Sequence, residues 1–146
     1  MQLHHFTQKD CALLKRFQYA NMTDNEVIQH INSWNSMCYG DYFFEMFAIT
    51  VAEQIIGMIS LHQRSKNELS LSIKIFTPFR GCGFSTHAMT MALQKASLYG
   101  YSLVSSQVRK DNSASIALHK KLGFKFVQEY ENSKGNQVYL FHKAIS

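Results

Sequence analysis

The spacing of apolar and polar positions changes several times along the 146 residues. Residues 3–6 form a short apolar stretch that predicts an edge strand. Asp10 then has the chemistry of a helix cap, because Cys11, Leu14, Phe17 and Gln18 recur near helical spacing up to Tyr19. Thr23-Asp24-Asn25-Glu26 reads as a second helix start with an acid in the first turn. Val27, Ile28, Ile31 and Trp34 give that helix an apolar face as far as about Asn35. Gly40 and Asp41 break the chain, and the period then shortens. Residues 43–52 and 55–61 read as two strands joined at Glu53-Gln54, and the alternation of Leu69, Leu71, Ile73 and Ile75 predicts a third.

After a loop from Thr77, Phe84, Ala88, Met91, Ala92 and Ala96 mark one stripe of a helix ending at Tyr99-Gly100. Residues 101–108 predict a strand and 113–122 a helix closed by Gly123. Residues 126–130 and 138–142 predict two last strands around the turn-rich 132–136 segment. The predicted order is β-α-α-β-β-β-α-β-α-β-β. With no linker, repeat or low-complexity tract, residues 1–146 are expected to form one domain.

Composition narrows the class. An apolar share of 46% and a charged share of 17% are those of a soluble globular protein. No apolar run approaches the roughly 20 residues of a membrane helix, and residues 1–10 do not have the pattern of a secretory signal. Cytoplasm is the default expectation, with no membrane partner. Cys11, Cys38 and Cys82 are odd in number and form no Cys-x-x-Cys pair, which argues for a reducing compartment and against a disulfide framework. The seven histidines show no metal-ligand spacing, so no metal is expected. The net charge of +5 favours an anionic partner, yet no basic run exceeds two residues. That scatter argues against nucleic acid and suits a polyanionic small molecule equally well.

Two segments carry the chemistry. In Arg80-Gly81-Cys82-Gly83-Phe84-Ser85 a strand ends in a glycine-rich turn that enters a helix. Such a turn points backbone N–H groups and the positive end of the helix dipole one way, which makes an anion site. Gly81 and Gly83 let the backbone approach a phosphate closely, and Arg80 adds a charged fork. Taken alone, a tight turn that merely uses glycine is the plainer reading. The second segment is Asn112-Ser113-Ala114-Ser115-Ile116-Ala117-Leu118-His119 and the residues to Phe124. On a helix, Asn112, Ser115, Ile116 and His119 share one sector, while Ala114, Leu118 and Leu122 fall on another, apolar one. The helix is thus expected to seat by the second sector and present Asn112 and His119 from the first. Asn112 also reads as a plain N-cap.

In this order and at this distance, the two segments resemble the acetyl-CoA-binding core of the GNAT superfamily of N-acetyltransferases. The loop follows the family pattern Arg/Gln-x-x-Gly-x-Gly/Ala, with Ser85 at the last position, where serine is compact and also a good N-cap. The resemblance implies an α/β (α+β) GNAT-like fold, a central mixed and mostly antiparallel sheet of about seven strands with four helices. It implies acetyl-CoA as co-substrate, its pyrophosphate held by the amides of Arg80, Gly81, Cys82, Gly83, Phe84 and Ser85, with Thr86 beside them. The strand before the loop is similar to the family strand that pairs with the pantetheine arm. Ile75 would give an N–H to the thioester oxygen, with Ile73 and Lys74 beside it. Asn112 would contact the same arm and Ser115 would mark a close approach.

His119 stands where the family most often has a tyrosine near the CoA sulfur. The resemblance implies that it protonates the departing thiolate, and an ordinary pKa of about 6.5 would keep part of it charged near neutrality. A solvent-facing helix histidine is the plainer alternative. The expected reaction is direct attack of a primary amine on the acetyl thioester. An alkylamine is neutral in only about one molecule in 10³ near pH 7, so a base is needed. Glu45, Glu53, Glu68, His62 and His87 are the candidates. Acceptor contacts are expected around residues 21–42 and in the last hairpin, with Tyr19, Trp34, Tyr39, Tyr42 and Tyr130 as candidate lining. The acceptor can be a small molecule, a protein N-terminus or a lysine, and a homodimer is left open. The rival reading is a non-catalytic acyl-CoA-binding module.

Overall fold

The computed structural model describes residues 1–145. One twisted sheet divides two apolar cores. Its strands are β1 (Gln2–His4), β2 (Cys38–Tyr39), β3 (Tyr42–Val51), β4 (Gln54–Gln63), β5 (Glu68–Ile75), β6 (Leu103–Arg109), β7 (Lys125–Glu131) and β8 (Gln137–Ala144). The helices are α1 (Cys11–Phe17), α2 (Asp24–Asn35), α3 (Phe84–Leu98) and α4 (Ser113–Lys121). The sheet runs β1-β3-β4-β5-β6-β8-β7, with the two-residue β2 paired to β3 off this path. That short strand is the addition to the seven predicted; it lies just before the Gly40-Asp41 break, which turns it back onto β3. No helix among the described residues is long and apolar enough to cross a membrane.

Strands β3 and β4 are buried on both faces, so their sequence reads as long apolar runs rather than strict alternation. Phe47 and Ile49 face the core under α3, whereas Met46 and Ala48 face the core under α1 and α2. The hairpin between them turns on Ala52 (φ 50°) and Glu53 (φ 66°), the left-handed pair that matches strand twist. Helix α2 starts as its sequence directs. Thr23 Oγ1 accepts from Glu26 N at 3.2 Å and the Glu26 carboxylate accepts from Thr23 N at 3.1 Å. On α3 the buried stripe is Ala88, Met89, Ala92, Leu93 and Ala96. Met91, expected in the stripe, is only half-buried and Met89 takes its place.

One pairing decides where the site lies. Among the described residues only β5 and β6 run parallel, and they pair at Glu68–Leu103, Leu69–Val104 and Ser70–Ser105 and no further. Beyond Ser70, β5 stays on β4 to Gly57–Ile75 while β6 follows β8 to Arg109–Val138. The sheet therefore opens into a wedge between the ends of β5 and β6. Gly57 holds one wall: a Cβ there would collide with the carbonyl oxygen of Lys74 and the Cα of Ile75. Any larger residue would push the end of β5 off β4.

Candidate active site

The wedge continues into a groove of about 450 Å³ along the 80–85 loop. Ile73, Lys74, Ile75, all six loop residues, Asn112 and Ser115 line it. Eleven sequence-distant and sequence-near candidates are thus brought to one surface; Thr86 lies just beyond, inside the first turn of α3. Gly81 (φ 78°) and Gly83 (φ 79°) both hold left-handed backbone, and an added Cβ would meet nothing within 4 Å at either. The cradle is therefore open, and its shape is one a side chain would strain. Gly83, not Ser85, is the N-cap of α3, and no acid occupies the first turn. The positive end of a 15-residue helix faces this loop uncompensated.

Arg80 plays a part its residue type did not reveal. Its Nε donates to the Ile75 carbonyl at 2.9 Å, tying the loop to the strand end. That bond also reports a direction. Phe76 N donates to Ile56 O on β4, so the Ile75 carbonyl, across the same peptide plane, faces away from β4. In an extended residue N–H and C=O point to one side, which turns the Ile75 N–H into the wedge. Asn112 is the N-cap of α4: its Oδ1 accepts from Ser115 N at 3.1 Å, and its amide NH₂ has no partner among the described residues.

His119 departs from expectation. It is 1% exposed, stacked on Phe141 with ring centres 5.5 Å apart and edge-on to Phe124 at 5.0 Å. The helix does not seat by the Ala114 sector alone: Ala114 is exposed, and Leu118 and Leu122 are half-buried against the core. From the sector expected to be presented, Ile116 packs there too and His119 is fully buried, which also removes the solvent-facing alternative. The strand supplies the reason: Val104, Ser106 and Val108 alternate onto one buried face of β6, and there Ser106 gives the ring a polar seat. His119 Nδ1 lies 2.7 Å from the Ser115 carbonyl, which can only accept, so the proton sits on Nδ1. Nε2 then accepts from Ser106 Oγ at 2.8 Å. Burial holds the imidazole below its ordinary value of 6.5, and the bond to Ser115 offsets this only in part. The ring is neutral near pH 7, which reverses the expected partial charge.

Both Ser106 and His119 line a second cavity of about 640 Å³ at the wedge, which shares Ile73, Lys74, Asn112 and Ser115 with the groove. Ser106 was missed by the sequence reading. Its signal was a lone hydroxyl between Val104 and Val108 on a core-facing alternation. Tyr19, Asn132 and Asn136 also line this cavity, whereas Trp34 packs in the core under α1 and α2, and Tyr39 (67% exposed), Tyr42 and Tyr130 lie away from it. None of the five candidate bases lines it. Glu45 is buried on the α3 face, accepting from Tyr99 Oη at 2.6 Å and bound to His5 Nε2 at 2.6 Å. Burial and that carboxylate push the Tyr99 phenol up to about 12.

Known proteins share this fold. The chain superposes with TM-score 0.84 on a spermidine N-acetyltransferase chimera of Vibrio cholerae and hSSAT, at 15% identity over 99% of this chain and 96% of that one. It superposes equally, at 14% identity over 99% and 94%, on the Salmonella typhimurium acetyltransferase that modifies the N-terminal serine of ribosomal protein L7/L12. A microcin C7 self-immunity acetyltransferase in complex with acetyl-CoA and AMP gives 0.80, at 16% identity over 98% and 91%. In sequence, the chain is 33% identical over 84 residues to a prophage-derived uncharacterized N-acetyltransferase of Bacillus subtilis, 56% of this chain and 48% of that protein. The match therefore spans about half of that relative's length. Residues 2–125 match the family described as the acetyltransferase (GNAT) domain, a span that contains the loop, the wedge and all of α4. By that match, and by the fold that houses it, the chain belongs to the GNAT acetyltransferase family.

Proposed function

We propose that the protein moves an acetyl group from acetyl-CoA to a primary amine by direct attack within a ternary complex. The observation that carries this reading is the wedge itself: the glycine cradle opens on one side of it and the Ser106–His119 pair on the other. The loop amides and Arg80 would hold the pyrophosphate, the Asn112 amide would donate to the pantetheine arm, and Ile75 N–H would meet the thioester oxygen. The amide C–N bond forms, the C–S bond breaks and the amine's proton ends on sulfur.

The neutral His119 sets the order of proton movement. Ser106 Oγ takes the amine's proton while passing its own to His119 Nε2, and the return along the same path delivers it to the thiolate. The pair acts first as acceptor and only then as donor, so the sequence-based role of His119 as an acid covers half of its work. One observation favours the rival binding module: both ring nitrogens of His119 are already engaged within the protein.

A large excess of acetyl-CoA is expected to raise the melting temperature by about 5–10 °C. Thioester cleavage over a panel of amines is expected alongside it. No thermal shift would remove both readings, and a shift with every amine inert would leave the binding module.

A further inference from the structure

The charges of the acceptor cavity narrow what can sit there. Lys74 lies on β5 between Ile73 and Ile75, so its side chain leaves the opposite face of the sheet from theirs, toward α1. There its ammonium donates to the Gln18 side-chain carbonyl, just after α1. Arg109 enters the same cavity from the end of β6, and Lys134 from the β7–β8 turn. Among the described residues no aspartate or glutamate lines this cavity. Neither Lys74 nor Lys134 has a carboxylate partner among them, and the Arg109–Asp111 pair at 3.1 Å is solvent-exposed and weak.

A cavity that holds three cations and no anion repels a polycation and leaves an anionic group on the ligand strongly attracted. Resting on the acetyl-transfer reading above, we propose that the acceptor is a small primary amine that also carries a carboxylate or a phosphate. Its anion sits against Lys74 and Lys134 while its amine reaches Ser106. A volume of about 640 Å³ suits a small molecule. The same cations depress the acceptor amine's pKa, which raises the neutral fraction in a site without a carboxylate base. The coenzyme's phosphates do not account for the charge. Lys74 borders their groove along the 80–85 loop as well, but its ammonium is engaged by Gln18, which lines the second cavity and not the groove, and neither Arg109 nor Lys134 lines the groove.

The test compares matched amines with the whole chain and acetyl-CoA, following loss of the thioester: β-alanine against propylamine, phosphoethanolamine against ethanolamine, and spermidine as polycation. At least one anionic amine is expected to exceed its neutral counterpart by about tenfold or more in kcat/KM, with spermidine below both. The two pairs separate carboxylate from phosphate. Lys74→Met and, on an exposed turn, Lys134→Ala are each expected to shrink that ratio several-fold. Equal or better use of neutral amines or spermidine overturns the proposal, as does turnover confined to acidic peptides. So does a rise in the KM for acetyl-CoA with Lys74→Met as large as the fall in the ratio. Where turnover is slow, the anionic amine is still expected to raise the melting temperature of the CoA-saturated protein, and no such rise overturns it too. Absence of any shift with acetyl-CoA is a different result and removes the underlying reading.

Discussion

The 80–85 loop and the Ser106–His119 pair sit on opposite sides of one wedge and are built on opposite plans. The loop is made of backbone. Its shape depends on two glycines in left-handed conformation and on a helix start, and its side chains are mostly exposed. The pair is made of two side chains from different elements, both at least 96% buried and each the other's partner. A backbone site tolerates changes of side chain and fails when φ is denied. A buried side-chain pair tolerates any backbone-neutral change outside it and fails when one partner is lost. Ser85 in place of glycine or alanine at the end of the loop pattern therefore matters little, whereas histidine at 119 reorganises its surroundings.

Replacing a residue that only the backbone plan requires should produce the largest effect. Gly83→Val puts a β-branched residue at φ 79°, at a strain of about 1–2 kcal/mol or more, and narrows the cradle. Expected is complete loss of the acetyl-CoA thermal shift in a protein that still folds; a retained shift would show that the loop does not hold the cofactor. His119→Phe should leave that shift intact while lowering kcat about 10²-fold. It also leaves the Ser106 hydroxyl buried without a partner, a loss of about 1–3 kcal/mol in denaturant midpoint terms. Adding Ser106→Ala should restore most of the stability and none of the rate. Recovery of kcat in the double variant would make the pair structural only.

The smallest effect is on pH dependence. His119 is held below its ordinary value of 6.5, so the unfolded chain takes up a proton more readily than the folded one. The stability this neutral ring supports is complete above about pH 6.5 and declines as pH falls from there toward the folded value. His62 is shifted the same way by burial, so both contribute. The difference between wild type and His119→Phe across this range isolates the share of His119. Identical slopes in urea unfolding would mean that the ring is solvated.

Much of this was legible in the residues because it is local. The capping box at Thr23 and Glu26, the alternation of β5, the glycines of the loop and the Asn112 cap are all decided by neighbours within a few positions. The same locality misled at α4. Helical spacing placed Ile116 and His119 on one sector correctly, but which sector packs depends on what β6 presents, and the sequence does not say that Ser106 faces His119. The Met89-for-Met91 exchange on α3 has the same cause, since the sheet decides which part of a broad apolar surface is covered.

By itself, the sequence determined the order of the four helices and of every strand but β2, the glycine cradle and the family, because short-range periodicity and backbone conformation are written residue by residue. Tertiary structure alone decided where β5 and β6 part, that His119 is neutral and seated on Ser106, and that Lys74, Arg109 and Lys134 share a cavity. Those outcomes depend on contacts between residues 13 to 60 positions apart, where burial, not spacing, sets protonation and charge.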